Sequence, residues 1–219
     1  MIIVIDGPAG SGKSSTAKAI ANRLNIQFLD SGALYRALTL LWLDRGSPDK
    51  ATFFENLSDV KISAEYRNNL FHVNLNGNNV TEEIRSQRVA DSVSEIATHP
   101  EARKHVNNIM RQMVNDHIYI ADGRDLGTAV FPNAELKFYM DASIEERAKR
   151  RFNEMHQNNS TVTLDEIKQN LKKRDQTDMN RKTDPLKKAE DAVVIDTTGK
   201  TFEEQVTEMI GVINSRIKS

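Results

Sequence analysis

The sequence predicts an α/β fold in which helices cover a parallel, doubly wound sheet of five short strands. Two observations support this class. Short apolar runs, most of them rich in β-branched residues, alternate with longer segments whose apolar residues recur every three or four positions. The acids Asp30, Asp122 and Asp141 all lie at the ends of such runs, and sheets of this class bind ligands at the carboxyl ends of their strands.

The first 57 residues predict two strands and three helices. The expected strands are 2–5 and 26–30, and the expected helices are 16–24, 31–45 and 48–57. The run at 2–5 is apolar throughout, which suits a strand buried on both faces. Ser31 is the expected N-cap of the second helix, and Gly46 is its expected C-terminal stop.

Between residues 60 and 80 the apolar pattern changes to strict alternation, which is typical of a sheet with one buried face. The dipeptide Asn76-Gly77 is the strongest hairpin signal in this region. Two helices are expected next, at 81–97 and 100–115, the second starting at Pro100. An antiparallel sheet within a chain of alternating strands and helices indicates an insertion.

The C-terminal part returns to alternating strands and helices. The expected strands are 118–122, 135–141 and 192–196, and the expected helices are 143–156, 164–185 and 201–217. Ser143 and Glu146 have the spacing of a capping box, and the segment 157–161 is polar and expected to be mobile. The last helix is amphipathic, and its predicted buried face is Phe202, Val206, Ile210 and Ile213.

Composition limits the classes of protein that the chain can be. The 219 residues carry a net charge of −1, so the overall charge does not favour a nucleic-acid-binding protein. There is no cysteine, which excludes disulfides and zinc–thiolate sites. No apolar segment has the length of a membrane span or the form of a signal peptide. We expect a soluble, cytoplasmic monomer with no membrane or nucleic-acid partner.

The loop between the first strand and the first helix fits the pattern G-x-x-x-x-G-K-[ST] of phosphate-binding loops. Its residues are Gly7, Pro8, Ala9, Gly10, Ser11, Gly12, Lys13, Ser14 and Ser15. Glycines allow successive N–H groups to surround an anion at a helix N-terminus. Lys13 would reach the β- and γ-phosphates of a bound nucleotide, and Ser14 would ligate Mg²⁺. The alternative, a simple connecting loop, is disfavoured because the motif and its flanking elements are independent signals.

Two further groups of polar residues lie at predicted strand ends. Asp122 could hold Mg²⁺ directly or through water, or could only cap the next turn. Arg124 and Asp125 follow it in a glycine-flanked loop. They could be a functional pair or an ordinary solvated surface pair. In DSGALYR, Ser31, Tyr35 and Arg36 offer a hydroxyl, an aromatic ring and a phosphate fork, although Tyr35 alone could equally be a core residue.

Arginines are concentrated in the C-terminal third, at positions 147, 150, 151, 174 and 181. Phosphoryl transfer requires positive charge around the transferred group, and arginines commonly supply it. Two basic helices around a polar tip would suit a lid that closes on a nucleotide. The alternative interpretation, solvated helix faces, applies to some of these residues. The five histidines show no metal-ligand spacing.

Four segments together resemble the bacterial cytidylate kinases, a branch of the nucleoside monophosphate kinases among the P-loop NTPases. They are GPAGSGKSS (7–15), FLDSGALYR (28–36), IADGRDLGTAVFPNA (120–134) and RDQTDMNR (174–181). The resemblance covers nearly the whole chain. It implies a five-stranded P-loop core (1–36 and 116–219), an inserted α+β monophosphate-binding domain (37–115) and a helical lid at about 153–185.

The resemblance also implies roles for individual residues. Ser31, Tyr35 and Arg36 match positions around the monophosphate. Ser94, Arg103 and Asp125 match positions that read cytosine, Arg124 and Arg181 match phosphate ligands, and Arg174 and Asp178 match sugar-facing positions. The expected catalytic set is Lys13, Arg124, Arg151 and Arg181. The segment 174–181 departs from some relatives at Gln176 and Thr177, positions that carry more charge in those relatives.

The implied activity is transfer of the γ-phosphoryl group of ATP, with Mg²⁺, to CMP or dCMP. Cytosine carries an N4 amino donor that Asp125 could accept, whereas uracil carries an oxygen there and would leave a buried acceptor unpaired. One alternative is a kinase for UMP or another small acceptor. A second is a guanine-nucleotide switch, which is disfavoured because the sequence contains no Asn-Lys-x-Asp motif.

Overall fold

A computed structural model describes residues 1–156 and 162–217. The polar segment 157–161, which we expected to be mobile, lies outside the described residues. In chain order the described strands and α-helices are β1 (Ile2–Asp6), α1 (Lys13–Leu24), β2 (Gln27–Asp30), α2 (Ser31–Asp44), α3 (Lys50–Glu55), β3 (Ile62–Arg67), β4 (Leu70–Leu75), β5 (Asn78–Asn79), α4 (Gln87–Ile96), α5 (Pro100–Met113), β6 (Tyr119–Asp122), β7 (Leu136–Asp141), α6 (Ile144–His156), α7 (Leu164–Asn180), β8 (Val193–Asp196) and α8 (Phe202–Ile217).

The predicted five-stranded parallel sheet is confirmed, and its strand order is β2-β6-β1-β7-β8. The central strand β1 is almost wholly apolar because both of its faces are covered, and Ile3, Val4 and Ile5 have no exposed surface. The register places Asp30 opposite Asp122 on neighbouring strands. The acids that end these strands therefore meet at one edge of the sheet.

The glycine-rich loop passes directly against strand β7. A Cβ atom added at Gly7 would lie 2.0 Å from the carbonyl oxygen of Met140, so no larger residue fits. Gly12 forms the N-cap of α1 with a φ of 90°, a left-handed conformation that glycine adopts without strain. These two glycines allow the chain to turn from a buried strand into a helix within six residues.

A separate antiparallel sheet is formed by β3, β4 and β5. Asn76-Gly77 does form a turn, but this turn leads only to the two-residue strand β5. The longer hairpin, β3–β4, turns at Asn68 and Asn69, whose φ values of 51° and 59° fit a type I′ turn. Phe28 of the parallel sheet packs edge-on against Tyr66 and Phe71 of this second sheet. The boundaries 37–115 as a separate domain stay a prediction.

Several local predictions were wrong at helix ends. Asp30, not Ser31, caps α2, since its carboxylate accepts from the N–H of Ala33. The helix expected at 81–97 is divided into a 3₁₀ turn (Glu83–Arg85) and α4, because Ser86 between them is extended. Helix propensities do not predict a break at one residue.

Capping at α6 and burial along α8 also differ from the expectation. Ser143 Oγ accepts from the N–H of Glu146, but the N–H of Ser143 donates to Thr198, so only half of the capping box forms. Phe202 is 47% exposed instead of buried, and Met209 takes its place in the core beside Val206 and Ile213. The first turn of α8 is thus exposed at Phe202, and the buried part of the helix begins at Gln205.

The helices α6 and α7 share a small hydrophobic cluster that is distinct from the main core. Its buried members are Ala9, Ala148, Ile167 and Leu171. Ala9 belongs to the glycine-rich loop, so the two helices of the predicted lid pack directly on that loop. None of the described helices is long and apolar enough to cross a membrane.

Candidate active site

A polar cleft of about 780 Å³ opens beside the carboxyl ends of β2 and β6. All residues predicted to bind the monophosphate line it: Ser31, Tyr35, Arg36, Ser94, Arg103, Arg124, Asp125, Arg174, Asp178 and Arg181. Ser14, Asp122 and Arg151 line it as well. The fold thus brings residues separated by up to 167 positions to one site, although their individual roles stay predictions.

Lys13 lies inside the glycine-rich loop and not on the wall of the cleft. Its Nζ donates to the carbonyl of Pro8 at 2.6 Å and is 3.2 Å from Ser11 Oγ. Burial, reinforced by the nearby charge of Arg124, lowers the pKa of Lys13 well below its usual value. Anionic phosphate in the loop would favour the charged ammonium form.

Arg147 and Asp175 hold the loop in place from the lid side. Arg147 Nη1 donates to the carbonyl of Ala9 at 2.9 Å and to Asp175 Oδ2 at 2.6 Å. Asp175 Oδ1 accepts from the N–H of Ala9 at 3.1 Å. Both polar groups of one loop residue are therefore fixed by α6 and α7.

The arginine-rich C-terminal segment divides into two groups. Arg147 is used in holding Ala9, and Arg150 donates to the carbonyl of Thr197 at 2.7 Å, so these two do not line the cleft. Arg151, Arg174 and Arg181 do line it. Arg147 and Arg150 therefore supply no charge to the wall of the cleft, because hydrogen bonds to backbone carbonyls hold both of them elsewhere.

Ser14 and Asp122 meet at the predicted magnesium site. Ser14 Oγ donates to Asp122 Oδ2 at 2.5 Å. Asp122 Oδ1 is buried and has no hydrogen-bond partner among the described residues. Burial, together with the charge of Asp30, raises the pKa of Asp122 to about 7. A buried carboxylate oxygen without a donor and a neighbouring hydroxyl fit a magnesium ion that keeps several waters.

No group of three or more His, Asp or Glu side chains surrounds a cation position in the part of the chain that the structure describes. Mg²⁺ commonly binds to one or two protein oxygens, with water and substrate phosphate completing its shell. The donor set at Ser14 and Asp122 has this character.

At the far end of the cleft, two buried arginines flank Asp125. Arg103 Nη2 donates to one carboxylate oxygen of Asp125, and Arg181 Nη2 donates to the other at 2.7 Å. The ring of Tyr35 lies 5.7 Å from the guanidinium carbon of Arg103. Burial raises the pKa of Asp125, while both arginines oppose that shift. Each oxygen keeps a second lone pair, which can accept a hydrogen bond from a ligand.

Positive charge is concentrated between these two ends. Burial and the charge of Arg124 lower the pKa of Arg174 to about 10, and its buried Nε has no partner among the described residues. Burial also lowers the pKa of Arg36. Arg124 is held by Asp178, with Nε at 2.9 Å from Oδ2. Like charges held this close favour an anionic ligand such as phosphate.

Asp6 is a residue of the site region that the sequence analysis missed. It is buried at the end of β1 and accepts from the N–H groups of Leu126 and Gly127 at 2.9 and 2.8 Å. It thereby holds the turn that follows Asp125. The signal was available, because Asp6 ends an apolar run in the same way as Asp122 does.

Replacing Asp6 with Asn should change how stability depends on pH. Burial raises the pKa of Asp6 to about 6, so this group contributes most stability below about pH 4, and the contribution is lost as pH rises through 6. Relative to wild type, the variant should therefore gain up to about 3 kcal/mol of unfolding free energy between pH 4 and pH 7. Urea denaturation at several pH values measures this.

The exposed Asp196 provides the control for this experiment. Its pKa is lowered by the N–H of Thr198, so its contribution is present at neutral pH and is lost as pH falls. Asp196→Asn should therefore show the opposite trend. A constant difference between Asp6→Asn and wild type across the pH range would contradict the assignment of a raised pKa to Asp6.

Comparison with known proteins gives the family. The family model described as cytidylate kinase matches residues 3–215. A cytidylate kinase of Pseudothermotoga lettingae is 40% identical over 99% of this chain and 96% of its own length. A cytidylate kinase of Geobacillus sp. (strain WCH70) is 42% identical over 98% of this chain and 97% of its own length.

Among solved structures, an uncharacterized protein from Eubacterium ventriosum aligns with a TM-score of 0.55 and 13% identity, covering 98% of this chain and 99% of that one. This likeness concerns the fold alone. The sequence relatives and the family model extend over nearly the full length and agree with each other. The resemblance found from the four sequence segments is thus confirmed, and the chain belongs to the cytidylate kinase family.

Proposed function

We propose that this protein transfers the γ-phosphoryl group of ATP to CMP or dCMP, giving ADP and CDP or dCDP, as a step in pyrimidine nucleotide metabolism. The observation that carries the proposal is the single cleft that runs from Ser14 of the phosphate loop to the Arg103–Asp125–Arg181 group. Arginines lie between its ends. With the base of one nucleotide at the far end and a triphosphate at the loop, the phosphates of the two nucleotides would meet at these arginines.

On the donor side, the amides of the loop and Lys13 would bind the phosphates of ATP. Ser14 and Asp122 would hold Mg²⁺, Asp122 directly or through water. The bound ion would neutralise charge on the β- and γ-phosphates. Arg147 donates to the carbonyl of Ala9, and Asp175 accepts from its N–H; these bonds keep the loop in shape before ATP arrives, which lowers the entropic cost of binding.

On the acceptor side, Arg36 and Arg124 would bind the monophosphate, beside Ser31 and Tyr35. The phosphate of CMP is already an anionic nucleophile at neutral pH, so the reaction needs no general base. Catalysis would rest on alignment and on charge from Lys13, Arg124, Arg151 and Arg181. Loose phosphoryl-transfer transition states are stabilised by this kind of distributed positive charge.

For the base, Asp125 would accept from the N4 amino group of cytosine, while Ser94 and Arg103 would donate to N3 and O2. Arg174 and Asp178 would face the sugar. The lid helices and the inserted region both contribute walls to the cleft, and their closure would exclude water that could otherwise hydrolyse ATP. That closure, like the monomeric state and the cytoplasmic location, is part of the proposal.

A panel of acceptors tests this function. With ATP and Mg²⁺, CMP and dCMP should be phosphorylated with kcat/KM at least about fivefold above UMP, since a mismatched buried hydrogen bond costs about 1–3 kcal/mol. Use of UMP without CMP would favour the rival pyrimidine kinase. Binding of GTP with no transfer to any monophosphate would favour a nucleotide switch.

A further inference from the structure

Residue 184 holds the Nε atoms of two buried arginines at once. Arg103 Nε donates to the carboxylate of Asp184, with 3.1 Å between Nε and Oδ2. Arg181 Nε donates to the backbone carbonyl of the same residue at 2.7 Å. One residue thus orients two guanidinium groups, one through its side chain and the other through its main chain.

The opposite ends of the same two arginines converge on Asp125. Each arginine uses Nε for residue 184 and Nη2 for one oxygen of Asp125. The four residues therefore form a closed ring of hydrogen bonds. Its members come from α5, from the loop after β6 and from the segment after α7, so the ring joins three parts of the chain that are distant in sequence.

The backbone of Asp184 has an unfavourable conformation that this arrangement requires. Its φ is 46°, in the left-handed region, where non-glycine residues are uncommon. The residue that follows is Pro185, which biases the preceding residue towards extended conformations. A turn of this shape directs the carbonyl towards Arg181 while the carboxylate reaches Arg103. Such conformations persist where surrounding contacts impose them, and often at functional sites.

Arg103 and Arg181 are almost fully buried, whereas the side chain of Asp184 is 30% exposed. Asp184 is thus the member of the ring that lies nearest to solvent. Without the carboxylate of Asp184, Arg103 keeps its hydrogen bonds to Asp125 and to the carbonyl of Ala97. Its guanidinium could then rotate about the hydrogen bond to Asp125. That rotation would change how Asp125 is presented to the cleft.

We propose that Asp184 is a positioning residue that sets nucleobase selectivity: it aligns Arg103 and Arg181, and through them the carboxylate that accepts the amino group of cytosine. The inference rests on the proposed function, since it assigns base recognition to Arg103 and Asp125. Asp184 acts through its neighbours and does not line the cleft itself.

Two substitutions separate the carboxylate from the backbone. Asp184→Gly removes the carboxylate but tolerates a positive φ and retains the carbonyl that accepts from Arg181. Asp184→Asn also tolerates this φ and keeps a side-chain acceptor for Arg103 Nε, without the charge. Lys182→Ala, at an exposed position two residues away, is the matched control.

Steady-state kinetics with CMP, UMP and ATP give the readout. Asp184→Gly should raise KM for CMP about tenfold and lower the ratio of kcat/KM for CMP over UMP by a similar factor, with KM for ATP unchanged. Asp184→Asn should recover most of the ratio, and Lys182→Ala should match wild type. A purely structural role would lower thermal stability and change both substrates alike.

The outcomes are distinguishable. If wild type prefers CMP and Asp184→Gly keeps the wild-type ratio, the positioning role is overturned while the proposed function stands. Equal losses for CMP and ATP also overturn it. If wild type uses CMP and UMP equally, there is no selectivity for Asp184 to set and the positioning role is overturned, whereas the proposed function itself fails if wild type does not phosphorylate CMP.

Discussion

Replacing Lys13 with Met should lower kcat by about 10²–10³-fold while the protein stays folded. The ammonium is the charge that the loop would direct at the phosphates during transfer. Burial already lowers the pKa of Lys13, so a neutral side chain of similar length removes a desolvation cost. The melting temperature of the variant should therefore equal or exceed that of wild type. Single-turnover kinetics and thermal unfolding measure the two quantities.

Lys18→Met, on the same helix α1, serves as the control and should keep wild-type kcat. Lys13→Arg is a stricter comparison, because it keeps a positive charge in a bulkier form. It should also be impaired, since Lys13 Nζ is enclosed by Pro8 and Ser11. A folded Lys13→Met variant with less than a tenfold loss in kcat would contradict the role assigned to the ammonium.

Replacing Asp125 with Ala should raise KM for CMP by about 100-fold and leave KM for ATP nearly unchanged. The variant lacks the proposed acceptor for cytosine N4 and leaves Arg103 and Arg181 without their shared counter-ion. Breaking a buried ion pair by removing one partner costs about 3–5 kcal/mol, so stability should fall as well. Kinetics must therefore be measured well below the melting temperature of the variant.

Asp125→Asn tests recognition with a side chain of the same shape, although it also removes the charge that Arg103 and Arg181 share. The amide has the same shape and can present an N–H₂ group where the carboxylate presented an oxygen. Because uracil carries an acceptor at the position of the cytosine amino group, this variant should shift kcat/KM towards UMP relative to CMP. Equal losses for CMP and ATP in either variant would remove Asp125 from base recognition.

Much of the fold followed from patterns that are local in the chain. The five core strands begin and end within about two residues of their predicted positions, because a buried parallel strand must be a short apolar run bounded by turns. The predictions that failed depended on neighbours far along the chain. Phe202 fits the apolar stripe of α8, but in the folded protein its side chain is 47% exposed.

In the candidate site, too, some features followed from local sequence patterns and others depended on residues distant in the chain. The spacing of Gly7, Gly12, Lys13 and Ser14 indicated a phosphate loop because backbone geometry alone demands those residue types. Family resemblance then supplied the acceptor-side residues, and the fold places all of them along one cleft. Composition could not separate Arg147 and Arg150 from the arginines of the cleft.

The sequence by itself determined the order of strands and helices, the phosphate loop and the family, because each is carried by residue type and local spacing. Only the tertiary structure decided which charged groups hold the scaffold and which line the cleft. Arg147 meets Ala9 across 138 positions, and Asp184 meets Arg103 across 81. Hydrogen bonds over such separations depend on how elements pack, and no local pattern specifies them.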